Sequence, residues 1–149
     1  MGRWRSRADA YASARKGFLC FKCGAPGPID PDGTAWIPDC GCGDPADAEV
    51  YVFFDSLIER ERAAELVRMQ RLGQIAGLKA HPRFALVVNG QHVGTYEADF
   101  VYTERGQAVA QEVKPAMRGG WERRDPLAAL KIRVFRALYP NQRLDILER

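Results

Sequence analysis

The side chains best suited to chemistry are those of Glu112-Val113-Lys114, at the end of a short run from Ala108 to Pro115, and of Asp99 shortly before it. Side chains alternate along a strand, so Glu112 and Lys114 project from one face and Val113 from the other. A carboxylate and an ammonium two residues apart, joined by a second carboxylate from a neighbouring strand, can hold a divalent cation beside a scissile phosphate. Glu-x-Lys is also common as a weak ion pair on solvated strands, so the motif alone does not decide.

A second constellation lies upstream. All four cysteines fall in two clusters, Cys20-Phe21-Lys22-Cys23-Gly24 and Asp39-Cys40-Gly41-Cys42-Gly43, separated by a loop rich in Pro, Gly and Asp. Two tight turns that each bring a pair of thiolates to one tetrahedral ion are the arithmetic of structural zinc, and glycine after each pair permits the positive φ such turns need. Disulfides are the competing reading, disfavoured in a reducing compartment. A loop so poor in apolar residues needs a staple of some kind to fold.

The elements that must position these residues follow from pattern. Ser56 to Ile75 reads as one helix, free of proline and of interior glycine until Gly73. Ser56 and Glu59 match a capping box, which gives Glu59 a structural role; on the side of Ala63 and Leu66, the same residue can instead lean toward the sheet carboxylates. Phe84 to Val88, Asn89-Gly90 and His92 to Tyr96 predict a hairpin with a type I′ turn. Thr95 to Tyr102 is expected to continue as a strand, and Ala108 to Lys114 to return antiparallel after a turn at Glu104 to Gly106. Arg118-Gly119-Gly120-Trp121, with Arg123 and Arg124 following, reads as a flexible basic loop. Its three arginines and Trp121 are the expected nucleic-acid contacts.

Asp125-Pro126 opens a last helix as N-cap and first residue, and Tyr139-Pro140 ends it. Leu127, Leu130, Val134 and Leu138 form its predicted apolar stripe, which Ile132, Phe135 and Tyr139 widen. Lys131 sits inside that stripe, where an ammonium either snorkels to solvent or faces an anionic site. Arg143 to Leu147 closes the chain as an edge strand. His81 and His92 are expected at the surface.

Formal net charge is +3 over 149 residues, but the sign is uneven. Residues 1–55 carry 6 Lys and Arg against 8 Asp and Glu, and residues 56–149 carry 16 against 11. Seventeen of the basic residues are Arg, whose planar fork suits phosphate, so an anionic polymer is a fitting partner. The N-terminal stretch, with Arg3, Arg5, Arg7 and Arg15, reads as a basic arm or short helix. No apolar run reaches membrane-spanning length and no secretory signal stands out, so no membrane partner and a cytoplasmic location are expected.

Taken together, Phe54-Asp55-Ser56 and Glu59, Gln70-Arg71-Leu72-Gly73-Gln74-Ile75, Pro82 and Phe84, Tyr96-Glu97-Ala98-Asp99-Phe100, Glu112-Val113-Lys114, and Lys131 with Tyr139-Pro140 resemble the PD-(D/E)XK nuclease superfamily. Residues 53–149 look most like a small phage and prophage family within it described as Holliday-junction-resolvase-like. Relatives commonly carry an acidic pair with Asp at the Glu112 position, followed by Lys-Gly; here the run is Gln111-Glu112-Val113-Lys114-Pro115.

The resemblance implies an α/β (α+β) fold with a restriction-endonuclease-like αβββαβ core. Cysteine spacing leads to the expectation that residues 1–50 form a basic arm with a zinc-binding appendage held by Cys20, Cys23, Cys40 and Cys42, while the resemblance makes residues 51–149 the nuclease-like domain. It implies Mg²⁺ or Mn²⁺ on Asp99, Glu112 and the Val113 carbonyl, with Lys114 activating water, Glu59 assisting the metal shell and Lys131 facing the anionic site. It further implies cutting of DNA, expected to be branched, by a homodimer in a bacterial or phage-infected cell. The cysteine module lies outside the family pattern, and its role is not inherited. A zinc-containing DNA-binding or accessory protein with an inactive nuclease fold, and a nicking or restriction-type endonuclease, are the alternative readings.

Overall fold

The computed structural model describes residues 16–149 of a mixed α/β chain. The basic arm expected over residues 1–15 lies outside the described residues. The chain divides into two compact units, the first ending at Arg71 and the second running from Leu72 to Arg149. Among the described residues no helix is long and apolar enough to cross a membrane.

In the first unit, β1 (Gly17–Cys20) pairs antiparallel with β2 (Tyr51–Phe54), in a register that sets Phe18 against Phe53 and Cys20 against Tyr51. Phe18 and Leu19 in β1 and Tyr51, Val52, Phe53 and Phe54 in β2 suit a pleated, half-buried surface. Neither strand was expected from the sequence pattern. Helix α1 (Leu57–Arg71) follows, burying Ala63, Leu66 and Val67, the i, i+3, i+4 positions of one face. It stops short of the expected Ile75 because Gly73 adopts φ 73, a left-handed value that ends helices readily.

The second unit holds a four-stranded sheet in the order β3-β6-β7-β8, made of β3 (Ala76–Ala80), β6 (Phe100–Glu104), β7 (Gln107–Lys114) and β8 (Arg143–Glu148). The first three strands pair antiparallel, while β7 and β8 run parallel. A parallel pair cannot be joined by a tight turn, and α2 (Pro126–Leu138) lies in the crossover that joins them. Between β3 and β6 the chain makes a separate hairpin of β4 (Arg83–Val88) and β5 (Gln91–Glu97). Its turn residues Asn89 and Gly90 both have positive φ, 50 and 77, as a type I′ turn requires.

One aromatic cluster ties hairpin and helix together. The Phe135 ring on α2 lies 4.9 Å from Phe84 and from Tyr96, and the Tyr139 hydroxyl donates to the Ala85 carbonyl at 2.8 Å. Leu86, Ala98, Ala110, Trp121, Ala129 and Ile132 complete the buried part of this core.

Three sequence expectations are corrected here. Thr95 to Tyr102 is not one strand, because Ala98 N–H bonds to the Pro82 carbonyl whereas Asp99 N–H bonds to that of Gln111. The chain thus leaves the hairpin and joins the larger sheet between these two residues. The buried face of α2 is Ala129, Ile132 and Phe135, on the widening side of the expected stripe, whereas Leu127 and Leu130, expected to be buried, are 62% and 55% exposed. Trp121 is not on a flexible loop. It opens a short 3-10 turn and is 5% exposed, packed into the core.

Candidate functional site

Strand β7 carries the two buried polar side chains among the described residues, Gln111 and Glu112. Gln111 donates its amide N–H to the Tyr102 hydroxyl at 3.2 Å. Glu112, 6% exposed, is held at both oxygens: Oε1 lies 2.6 Å from the Lys114 Nζ, and Oε2 accepts from the Tyr96 hydroxyl at 2.7 Å. An ionised carboxylate taken out of water costs several kcal/mol unless paired and hydrogen-bonded, and these two donors offset that cost.

Strand alternation places Lys114 on the same face as Glu112, as read from the sequence. Its ammonium also sits 5.1 Å from the centre of the Trp121 ring, whose negative face favours a cation. Burial first, and then the charge of Glu112, push the Tyr96 phenol well above its ordinary pKa, so it remains protonated and donates.

Asp99 sits at the bend where the chain switches sheets. Its Oδ2 accepts from the Val113 N–H at 2.6 Å, its own N–H donates to the Gln111 carbonyl, and its carbonyl accepts from the His81 N–H at 2.9 Å. The first pairing of β6 with β7 is Phe100 with Gln111, so Asp99 stands one residue beyond it, beside the Glu112-Val113 peptide. N–H and C=O of one strand residue face the same neighbour, which puts the Val113 carbonyl on the Asp99 edge of β7.

Lys131 lines a cavity of about 470 Å³ together with Glu112, Tyr96, Thr95, Arg83 and Leu127. Lys131 therefore shares a cavity with Glu112, while Asp99 and Lys114 are not among its lining residues. Arg83 is paired with Glu97 at 3.3 Å. Arg118, Arg123 and Arg124 are exposed around the turn that buries Trp121. Glu59 belongs to the first unit, in the first turn of α1, whereas Asp99, Glu112, Lys114 and Lys131 all belong to the second.

Tyr96 is the site residue that sequence reasoning missed. The signal was present: a Tyr on a strand face that packs inward must find a partner for its hydroxyl, and Glu112 is the buried acceptor that meets it.

The cysteines form a second centre, inside the first unit. The Sγ atoms of Cys20, Cys23, Cys40 and Cys42 all lie within 4.8 Å of one another, and all four are free thiols rather than disulfides. Four sulfurs around one tetrahedral zinc stand about 3.8 Å apart, given Zn–S bonds of about 2.3 Å, so this cluster can hold a metal such as zinc. Among the described residues it is the one group of three or more His, Cys, Asp and Glu side chains close enough to do so.

Local backbone explains the convergence. Gly24, at φ 82, donates its N–H to the Cys20 carbonyl at 2.8 Å, closing the first turn, and Gly41, at φ 64, turns the chain between Cys40 and Cys42. Lys22 reaches from the first turn to the Cys42 carbonyl at 2.9 Å. Arg71, at the end of α1, donates to the Cys23 carbonyl at 3.1 Å. The backbone N–H of Cys42 lowers the Cys40 thiol to about 7, while the neighbouring thiols raise Cys42 to about 12. Burial raises Cys20. A cation at their centre would bind the thiolates and displace their protons.

No family model, no curated protein and no solved structure matches the chain.

Proposed function

We propose that the second unit is a metal-dependent endodeoxyribonuclease of the PD-(D/E)XK kind, hydrolysing phosphodiester bonds in branched DNA as a homodimer. The observation that carries this reading is the buried Glu112, in contact with Lys114 at 2.6 Å, next to a peptide whose N–H is bonded to the carboxylate of Asp99. A fold gains little from burying an ion pair, because apolar residues of similar volume usually serve stability as well or better. Within the second unit the order β3, β6, β7, α2, β8 is compatible with the βββαβ part of an αβββαβ core, with a hairpin inserted between β3 and β6.

The donor set fits a hard divalent ion. Asp99 and Glu112 offer carboxylate oxygens, the hard ligands such an ion takes, and the Val113 carbonyl lies on the Asp99 edge. Mg²⁺ or Mn²⁺ held there would offset charge growing on the attacked phosphate. Lys114 supplies the ammonium that orients water for in-line attack, and Lys131 supplies positive charge in the cavity bordering Glu112. Arg118, Arg123 and Arg124 are the exposed phosphate contacts; Trp121 instead supports Lys114 from beneath. Two symmetric cuts across a junction call for a C2 dimer. Zinc on the four cysteines is structural in this reading.

One observation favours a second reading, a DNA-binding accessory protein with a silent site. Both oxygens of Glu112 are already engaged, and its side chain is almost closed to solvent. Incubating the protein with four-way, flapped and linear DNA, with and without Mg²⁺, separates the two. Metal-dependent cutting that Asp99→Ala and Lys114→Ala both abolish supports the nuclease. Binding to branched DNA with no cutting of any substrate overturns it in favour of the accessory role.

A further inference from the structure

We infer that Tyr96 is a positioning residue that aims the Glu112 carboxylate, an inference that rests on the proposed metal-binding role of Glu112. The two donors on Glu112 differ in kind. Lys114 reaches Oε1 through a four-carbon stem with many rotamers, so its ammonium can exchange that contact for another. Tyr96 reaches Oε2 through a rigid ring with two rotatable bonds, and that ring is wedged 4.9 Å from Phe135 and 6.4 Å from Phe84. The phenol therefore fixes one oxygen and the plane of the carboxylate, and leaves Oε1 as the oxygen whose partner can change.

Packing alone does not account for the hydroxyl. Phenylalanine would fill the same place between Phe84 and Phe135, and a buried hydroxyl is unfavourable unless bonded. Glu112 is the acceptor that justifies it. Tyr96 comes from β5 of the hairpin and Glu112 from β7 of the four-stranded sheet, so this bond also ties the hairpin to the catalytic strand. Tyr96 is thereby to a metal-binding carboxylate what an outer-shell hydrogen-bond partner is to any ligand, and loss of such partners weakens metal binding about 10- to 100-fold.

The test uses the full chain with its cysteine site saturated with zinc, and titrates Mn²⁺ by calorimetry and by electron paramagnetic resonance. Wild type should bind one further Mn²⁺, Glu112→Gln should lose it, and Tyr96→Phe should bind it about tenfold more weakly while remaining folded, its melting temperature lowered by the loss of one hydrogen bond to a buried carboxylate. Phe135→Leu, which loosens the same packing but keeps the hydroxyl, should lower the melting temperature while retaining Mn²⁺ affinity. Equal affinity in Tyr96→Phe and wild type, or a wild type that binds no Mn²⁺, overturns the inference. If wild type binds Mn²⁺ and Tyr96→Phe weakens it, yet no DNA is cut, the positioning role stands and the nuclease reading alone falls.

Discussion

Replacing Lys114 by Met tests whether the Glu112–Lys114 pair exists for stability or for chemistry. The side chains of Lys114 and Glu112 are 17% and 8% exposed, so the pair is largely desolvated. Removing one partner of a fully buried pair costs about 3–5 kcal/mol, and the residual access of Lys114 to water, together with the remaining Tyr96 bond, reduces that to about 2–3 kcal/mol. For a unit of this size, a loss of about 2 kcal/mol lowers the melting temperature by about 10 °C. Glu112→Gln alone keeps an acceptor for Tyr96 but deprives the ammonium of its counter-charge, at about 1–2 kcal/mol. The double variant removes both charges, retains the Tyr96 bond and lays a Met stem beside Trp121, so its stability should return to within about 1 kcal/mol of wild type. Urea unfolding of the four proteins closes the cycle. Additive losses, with the double variant weaker than either single one, would refute the view that the pair is a functional feature carried at the fold's expense. The expected signature is a stable double variant that cuts no DNA at any Mg²⁺ concentration.

The other predictions concern the cysteine centre and the turn after β7. One zinc per chain should be found by metal analysis, and Cys23→Ser should release it and make the first unit sensitive to proteolysis at low temperature; a metal-free wild type with cysteines oxidised in pairs would contradict this. Trp121→Ala should destabilise the second unit by about 3–5 kcal/mol because it empties a core position, whereas Arg123→Ala should leave stability unchanged and reduce the salt dependence of DNA binding by about one phosphate contact. Loss of DNA affinity in Trp121→Ala without loss of stability would mean that the ring contacts bases after all.

What the sequence made legible is what short-range chemistry dictates. Asn89-Gly90 specifies its turn because both residues tolerate positive φ, and Asp125-Pro126 starts α2 as written, with the Asp125 carboxylate accepting from the Ala128 N–H at 3.0 Å. Cysteine spacing pointed to one cluster, and the parity of a strand was enough to put Glu112 and Lys114 together. Apart from the early end of α1, which Gly73 sets locally, the misreadings depend on distant partners. Nothing within Thr95 to Tyr102 announces that Ala98 will bond to Pro82 and Asp99 to Gln111. Strand β3, Ala-Gly-Leu-Lys-Ala, has no β-branched residue and contains Gly77 at φ 66, so it exists because β6 offers it an edge rather than by propensity. The face that α2 buries is likewise chosen by its neighbours, since Trp121 and the hairpin occupy the core from either side of the chain.

The same distinction separates the two centres chemically. Each pair of cysteines lies on one tight turn, so the geometry of the sulfur cluster is largely local, and two turns need only meet once. The Glu112 centre has no such economy. Its members come from β5, from the bend before β6, and from β7, and they meet only because the chain changes sheets between Ala98 and Asp99. If the chain instead stayed on the hairpin through Phe100, Asp99 would lose its bond to Val113 while Tyr96 could still reach toward the sheet. The break in the strand is therefore the structural event that brings a second carboxylate to β7. It also explains why Asp99, which looks like an ordinary strand residue, bonds through both its backbone and its side chain to the same short stretch, Gln111 to Val113.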